Sequence, residues 1–112
     1  MIRIKVNLLV KTCLRNEKKE YNIKGIYNND KLKYKDEDAL MIIDFKNKRI
    51  ERENNNYKII FDFINKISYI EESELKFNLE LDVIDVDIKG NYFKVKYKIE
   101  NDYFELEINI NK

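Results

Sequence analysis

Apolar and polar side chains alternate at period two along almost the whole chain. That period sends one class of side chain to each face of an extended strand. Ile2, Ile4, Val6, Leu8 and Val10 form the first apolar set. Tyr21, Ile23, Gly25 and Tyr27 form the second, followed by Leu32 and Tyr34, and by Met41, Ile43 and Phe45. Tyr57, Ile59, Phe61 and Phe63 come next, then Leu75, Phe77, Leu79, Leu81 and Val83. The last sets are Ile84, Val86 and Ile88; Phe93, Val95, Tyr97 and Ile99; and Phe104, Leu106, Ile108 and Ile110. β-branched and aromatic residues dominate these positions, as a half-buried pleated surface favours. No window has a helical period, and the segment around Phe61 to Ile70 reads as two strands. The apolar parity switches between Val83 and Ile84. One face stays buried across such a switch only if the strand takes in an extra residue, which predicts a β-bulge or a sharp bend near Asp82 to Asp85.

Tight turns set the pairing. A two-residue loop at Gly90-Asn91 makes Ile88 face Phe93, Val86 face Val95 and Ile84 face Tyr97 on one side, with Asp87 facing Lys94 and Asp85 facing Lys96 on the other. A loop at Asn101-Asp102 pairs Ile99 with Phe104, Tyr97 with Leu106 and Lys96 with Glu107. Loops at Asn29-Asp30, Asn47-Lys48 and Asn55-Asn56 pair Tyr27 with Leu32, Phe45 with Ile50, and Ile50 with Phe61. Asn and Asp suit these positions because they tolerate positive φ. The turn near Asn65-Lys66 admits a two-residue or a three-residue loop.

The result is an all-β, antiparallel meander of about eight to ten strands, one domain over residues 1–112, with one amphipathic face throughout. No helix is available to cover that face, so the sheet closes, or nearly closes, on itself as a barrel; a two-sheet β-sandwich is the alternative. Closure pairs the first strand (Ile2 to Val10) with the last (Phe104 to Ile110).

Composition narrows the possible functions. The 112 residues are 44% hydrophobic and 38% charged, a globular composition, and the net charge of +1 supplies no global field for nucleic acid or an anionic membrane. Ile, Lys, Asn and Tyr are abundant, Gly occurs twice and Pro and Trp not at all, the bias expected of an AT-rich bacterial genome. Cys13 is alone, so an internal disulfide is impossible and a reducing, cytoplasmic location is expected. The first ten residues carry Arg3, Lys5 and Asn7 and lack the apolar core of a signal peptide, and no apolar run is long enough to span a membrane.

Gly25-Ile26-Tyr27, Leu32-Lys33-Tyr34 and Ile50-Glu51-Arg52, followed by the alternating second half, resemble the YwiB-like family of small bacterial proteins of unknown function. The resemblance spans most of the chain in strand order and implies a calycin-like (lipocalin-like) barrel. Lys35 to Asp38 stands where the family has a longer link. Tyr69 to Leu75 lacks the Pro and Gly that family members often carry there. The family brings no established activity.

Chemistry is scarce. The chain has no His and one Cys, which removes the commonest general base, Ser-His-Asp catalysis and any Cys/His zinc site. The two glycines are too far apart for a phosphate loop. Neither a catalytic group, a metal site nor a cofactor is expected. The acidic runs Asp36-Glu37-Asp38 and Glu71, Glu72, Glu74 lack calcium-loop spacing and read as solvated loops. Arg52 stands out: the register puts it on the inward face, opposite Ile43 and beside Ile59. There it either anchors a carboxylate or phosphate group of a ligand at the barrel mouth or sits partly wet at the barrel end, snorkelling to water. Tyr27, Tyr34, Tyr57, Tyr69 and Tyr97 supply polar-tipped aromatics to the same face, lining a pocket or filling the core. The expected function is non-enzymatic binding of a small apolar or amphipathic ligand, with Arg52 and these tyrosines as its site. The alternative is a filled barrel that contacts a protein partner or a second copy. Nucleic-acid binding is disfavoured because acids flank Lys94, Lys96 and Lys98, although Arg3, Lys5 and Lys11 form a less compensated stripe.

Overall fold

The computed structural model describes residues 3–111, so Ile2, which the alternation assigns to the first strand, lies outside them. Eleven strands follow in chain order: β1 (Ile4–Leu14), β2 (Glu17–Asn28), β3 (Lys31–Asp36), β4 (Ala39–Asp44), β5 (Arg49–Glu53), β6 (Lys58–Asp62), β7 (Ile67–Glu72), β8 (Leu75–Leu79), β9 (Leu81–Lys89), β10 (Tyr92–Ile99) and β11 (Asp102–Asn111). They form one antiparallel sheet in the order β8-β7-β6-β5-β4-β3-β2-β1-β11-β10-β9. The expected closure is present: β1 lies against β11, with Leu8 facing Ile110 and Val10 facing Ile108. The sheet is thus a nearly closed barrel rather than a sandwich. Its unsealed seam falls between β8 and β9, two strands that only Glu80 separates in sequence. No helix long and apolar enough to cross a membrane occurs among the described residues.

The inward faces meet in one core containing Leu8, Val10, Leu32, Ile43, Ile50, Phe93, Val95 and Ile108. The predicted bulge is real. Lys96 faces Asp85 and Tyr97 faces Val83, which leaves Ile84 as the extra residue. Tyr97 therefore meets Val83 and not Ile84, and Ile84 is half exposed. The loops at Gly90-Asn91, Asn29-Asp30 and Asn55-Asn56 give the expected pairs. Asn29 and Asp30 both have positive φ, of 52° and 63°, as mirror-image hairpin turns require.

Three connections differ from expectation: the β4–β5 and β10–β11 registers each slide by two residues, and the β6–β7 turn takes four residues, 63–66, where a two- or three-residue loop was expected. The last hairpin turns at Glu100 and Asn101, both at positive φ, so Tyr97 faces Phe104 and Lys96 faces Glu105. A two-residue slide keeps every side chain on its face, so alternation alone did not separate the two pairings. The β4–β5 connection is a four-residue turn, and Ile43, not Phe45, faces Ile50. The Asp44 carboxylate accepts hydrogen bonds from the Lys46 and Asn47 amides (3.1 and 2.9 Å) and from the Asn47 side chain (2.9 Å). The β6–β7 turn repeats the device: Asp62 accepts from the Ile64 and Asn65 amides and from the Asn65 side chain. Both turns read Asp-Phe-x-Asn-Lys, at 44–48 and 62–66. In each the Phe is freed from the ladder and packs inward. Phe45 then donates its backbone N–H to Asp30 O (2.8 Å), and Phe63 to Lys48 O (3.0 Å).

Candidate functional site

Those two phenylalanines help explain why the barrel is not filled evenly. Phe45 packs edge-on against Tyr27 and Phe93, with ring centroids 5.8 and 5.4 Å apart, at the end where β1 begins. The other end of β1, β2, β10 and β11 is hollow. A cavity of about 720 Å³ opens there, within the range that holds a small organic molecule. Its floor is apolar: Met41, Ile50, Tyr97 and Leu106 are buried, and Ile23, Ile59, Phe61, Ile99 and Phe104 form half-buried walls. Tyr97 is the hub of this wall. It lies 5.3 Å from the Phe61 ring, 5.3 Å from Phe63 and stacks on Phe104 at 5.4 Å.

At the mouth, Arg52 reaches in from β5. It faces Met41 on β4 and Ile59 on β6, so the sequence expectation of Ile43 as its partner was two residues off, for the same reason as the β4–β5 turn. Its guanidinium donates from Nη1 to Asp36 Oδ2 at 2.7 Å, and Nη1 also lies 3.6 Å from Met41 Sδ. Partial burial pulls the Arg52 pKa down. The hydrogen bonds to Asp36 and Tyr57 outweigh it and hold the pKa above the ordinary value. Tyr21 also interacts with Asp36, and burial first, then that carboxylate, push its pKa up to about 12. Behind them Tyr34 is buried, and burial first, then Tyr21 and Asp36, raises its pKa strongly.

The six residues predicted from sequence are thus dispersed. Arg52 and Tyr97 line the cavity, Tyr57 supports Arg52 and Tyr34 lies close behind. Tyr27 is at the plugged end, where its hydroxyl donates to Asp30 Oδ1 at 3.3 Å. Tyr69 is on the outer face: it pairs with Ile60, and Lys76 Nζ sits 4.0 Å from its ring centroid. The four-residue Asp62 turn makes Ser68, not Tyr69, the inward neighbour of Phe61, and that parity change was invisible without the turn's length. Asp36 and Tyr21 were missed. Asp36 lies in an acidic run that reads as a solvated loop, yet it continues the inward phase of Leu32 and Tyr34, which is the signal in the sequence. Among the described residues no group of acids, Cys or His is arranged to hold a metal ion. The cationic stripe is neutralised at Lys11, which lies 3.6 Å from both Glu20 and Glu107. Lys94 and Lys96 are likewise paired, with Glu107 and Glu105.

Neither a family model nor a curated protein matches the sequence. A solved structure does match by shape. The YwiB protein from Bacillus subtilis superimposes with a TM-score of 0.55 over 97% of this chain and 92% of that one, at 10% identity. This likeness supports a YwiB-like fold.

Proposed function

We propose that the protein is a non-enzymatic carrier or sensor that takes a small apolar or amphipathic molecule into the open end of its barrel, in the manner of a calycin-like protein. The observation that carries this reading is the pairing of an apolar hollow of about 720 Å³ with a charged, hydrogen-bonding group, Arg52 and Asp36, at its mouth. Concave, mostly apolar sites with a few placed polar groups are the usual form of small-molecule sites. A reducing compartment, the cytoplasm, suits a chain whose one cysteine, Cys13, is free and buried.

The test uses the uncharged fluorescent probe N-phenyl-1-naphthylamine and native mass spectrometry of the purified protein. The probe is expected to brighten on binding. Ile59→Trp, which pushes an indole into the cavity from β6, is expected to weaken it about tenfold or more. A wild-type protein that leaves the probe dark, or an Ile59→Trp variant that binds as well as wild type, would overturn the reading. A second reading, contact with another protein or another copy, has one observation in its favour. The unpaired β8 edge leaves Leu75 62% and Phe77 48% exposed. Sedimentation as a strict monomer at high concentration would remove its self-association form.

A further inference from the structure

Which polar end a bound amphiphile carries is decided at the mouth, given that the cavity binds a ligand at all. An arginine at the rim of an apolar pocket normally suggests an anionic head group, such as the carboxylate of a fatty acid. Here the place of that carboxylate is already taken. Asp36 Oδ2 sits 2.7 Å from Arg52 Nη1, and both side chains are about two-thirds shielded from water, at 33% and 27% exposure. A second carboxylate has two ways in. It displaces Asp36 and leaves a half-buried charge without its partner, or it shares the guanidinium and brings two like charges together. The remaining lining gives it no help. Three cations (Lys19, Lys35 and Arg52) face four carboxylates (Glu17, Asp36, Glu37 and Glu105), so the entrance has no positive field to draw in an anion.

We propose that the cavity selects amphiphiles with an uncharged hydrogen-bonding head, such as a primary amide, an alcohol or a glycerol ester, and rejects ionised fatty acids, because Asp36 serves as a built-in counter-carboxylate for Arg52. Beyond the two Nη1 contacts and the hydrogen bond to Tyr57, the five N–H donors of a guanidinium leave others to donate to the head. The Asp36 carboxylate and the Tyr21 phenol beside it provide an acceptor and a further polar partner. Donor and acceptor side by side suit an amide or hydroxyl, which needs both, better than a carboxylate, which only accepts.

Decanamide and decanoate separate the two cases, since they share chain length and head shape and differ in charge. Each is titrated against protein-bound N-phenyl-1-naphthylamine at about pH 8, where decanoate is ionised. Decanamide is expected to displace the probe at a concentration about tenfold or more below that of decanoate. Asp36→Asn removes the internal carboxylate and frees Arg52. Decanoate should then bind about tenfold or more tighter than it does to wild type, and the gain should disappear in the double variant Asp36→Asn, Arg52→Gln. A general preference of a greasy pocket for neutral molecules would not produce that gain. Decanoate competing as well as decanamide on wild type overturns the inference, and so does an Asp36→Asn protein that binds the probe but gains nothing for decanoate. A wild-type protein that never binds the probe overturns the cavity reading, and the inference falls with it.

Discussion

An alanine at position 25 would put its Cβ 2.9 Å from the Lys33 carbonyl oxygen, 3.0 Å from Leu8 Cδ1 and 3.2 Å from Leu32 Cδ1. Leu8 and Leu32 are fully buried, so neither side chain has room to swing away, and the nearest atom is backbone. Gly25 therefore marks where β1 and β3 approach β2 too closely for any side chain. Gly25→Ala is expected to cost about 1–3 kcal/mol through overpacking, read as a lower urea midpoint. An unchanged midpoint would mean that the strands separate easily there. At the same scale Arg52 is legible in the sequence and Asp36 is not. An isolated Arg in an inward phase is conspicuous, whereas an Asp in an Asp-Glu-Asp run looks like loop even when its phase points it inward.

At the scale of elements, the bulge in β9 does one job: it takes up a parity error. With Ile84 removed, Leu81, Val83, Val86 and Ile88 alternate without interruption against β10. Deleting Ile84 is therefore expected to leave a folded protein with a midpoint near that of wild type. Deleting Val86 instead should be severe. It would bring Asp85 to the inward, half-buried place of Val86, against the fully buried Val95, where a carboxylate loses hydration and gains no partner, at a cost of about 1–3 kcal/mol. Comparable urea midpoints for the two deletions would show that the bulge has a role besides phase. The Asp-Phe-x-Asn-Lys turns belong to this scale as well. Their Asp and Asn close a four-residue loop, and the Phe released from the ladder closes part of the barrel interior.

The whole molecule ties its tyrosines to alkaline stability. Burial raises the pKa of both Tyr34 and Tyr97 well above the ordinary value. For a group whose folded pKa is raised, the stabilisation is fully present below the unfolded pKa, about 10 for tyrosine, and is lost as pH climbs from there toward the folded pKa. Stability should thus not depend on these two groups up to about pH 10 and should then fall by roughly 1 kcal/mol per tyrosine for each further pH unit. Urea midpoints at about pH 9 and pH 11 measure the fall, and Tyr97→Phe should make it shallower. A variant with the same alkaline slope as wild type would sink the assignment. At this scale the seam also becomes intelligible. β8 and β9 are joined through Glu80, whose carbonyl accepts from the Glu100 amide (3.2 Å) and whose amide donates to Glu100 Oε1 (2.9 Å). The chain is pinned to the β10–β11 turn where it passes from one sheet edge to the other, and the two edges do not form a ladder with each other.

The amino-acid order by itself determined that the chain is all strand, which side chains face inward over most of it, where the bulge falls and that the first strand meets the last. Period-two alternation and Asx turns are local properties, and one wrong parity would bury charge. What only the tertiary structure decided is everything that leaves the faces unchanged or depends on space. A slide by two residues costs alternation nothing, so the partners of Tyr97, Ile50 and Arg52 were settled by packing: Phe104 stacked on Tyr97, and Phe45 and Phe63 turned inward. The cavity, the seam and the neutralisation of Arg52 by Asp36 arise from distances between strands far apart in sequence, and no local pattern encodes the volume left over when those strands meet.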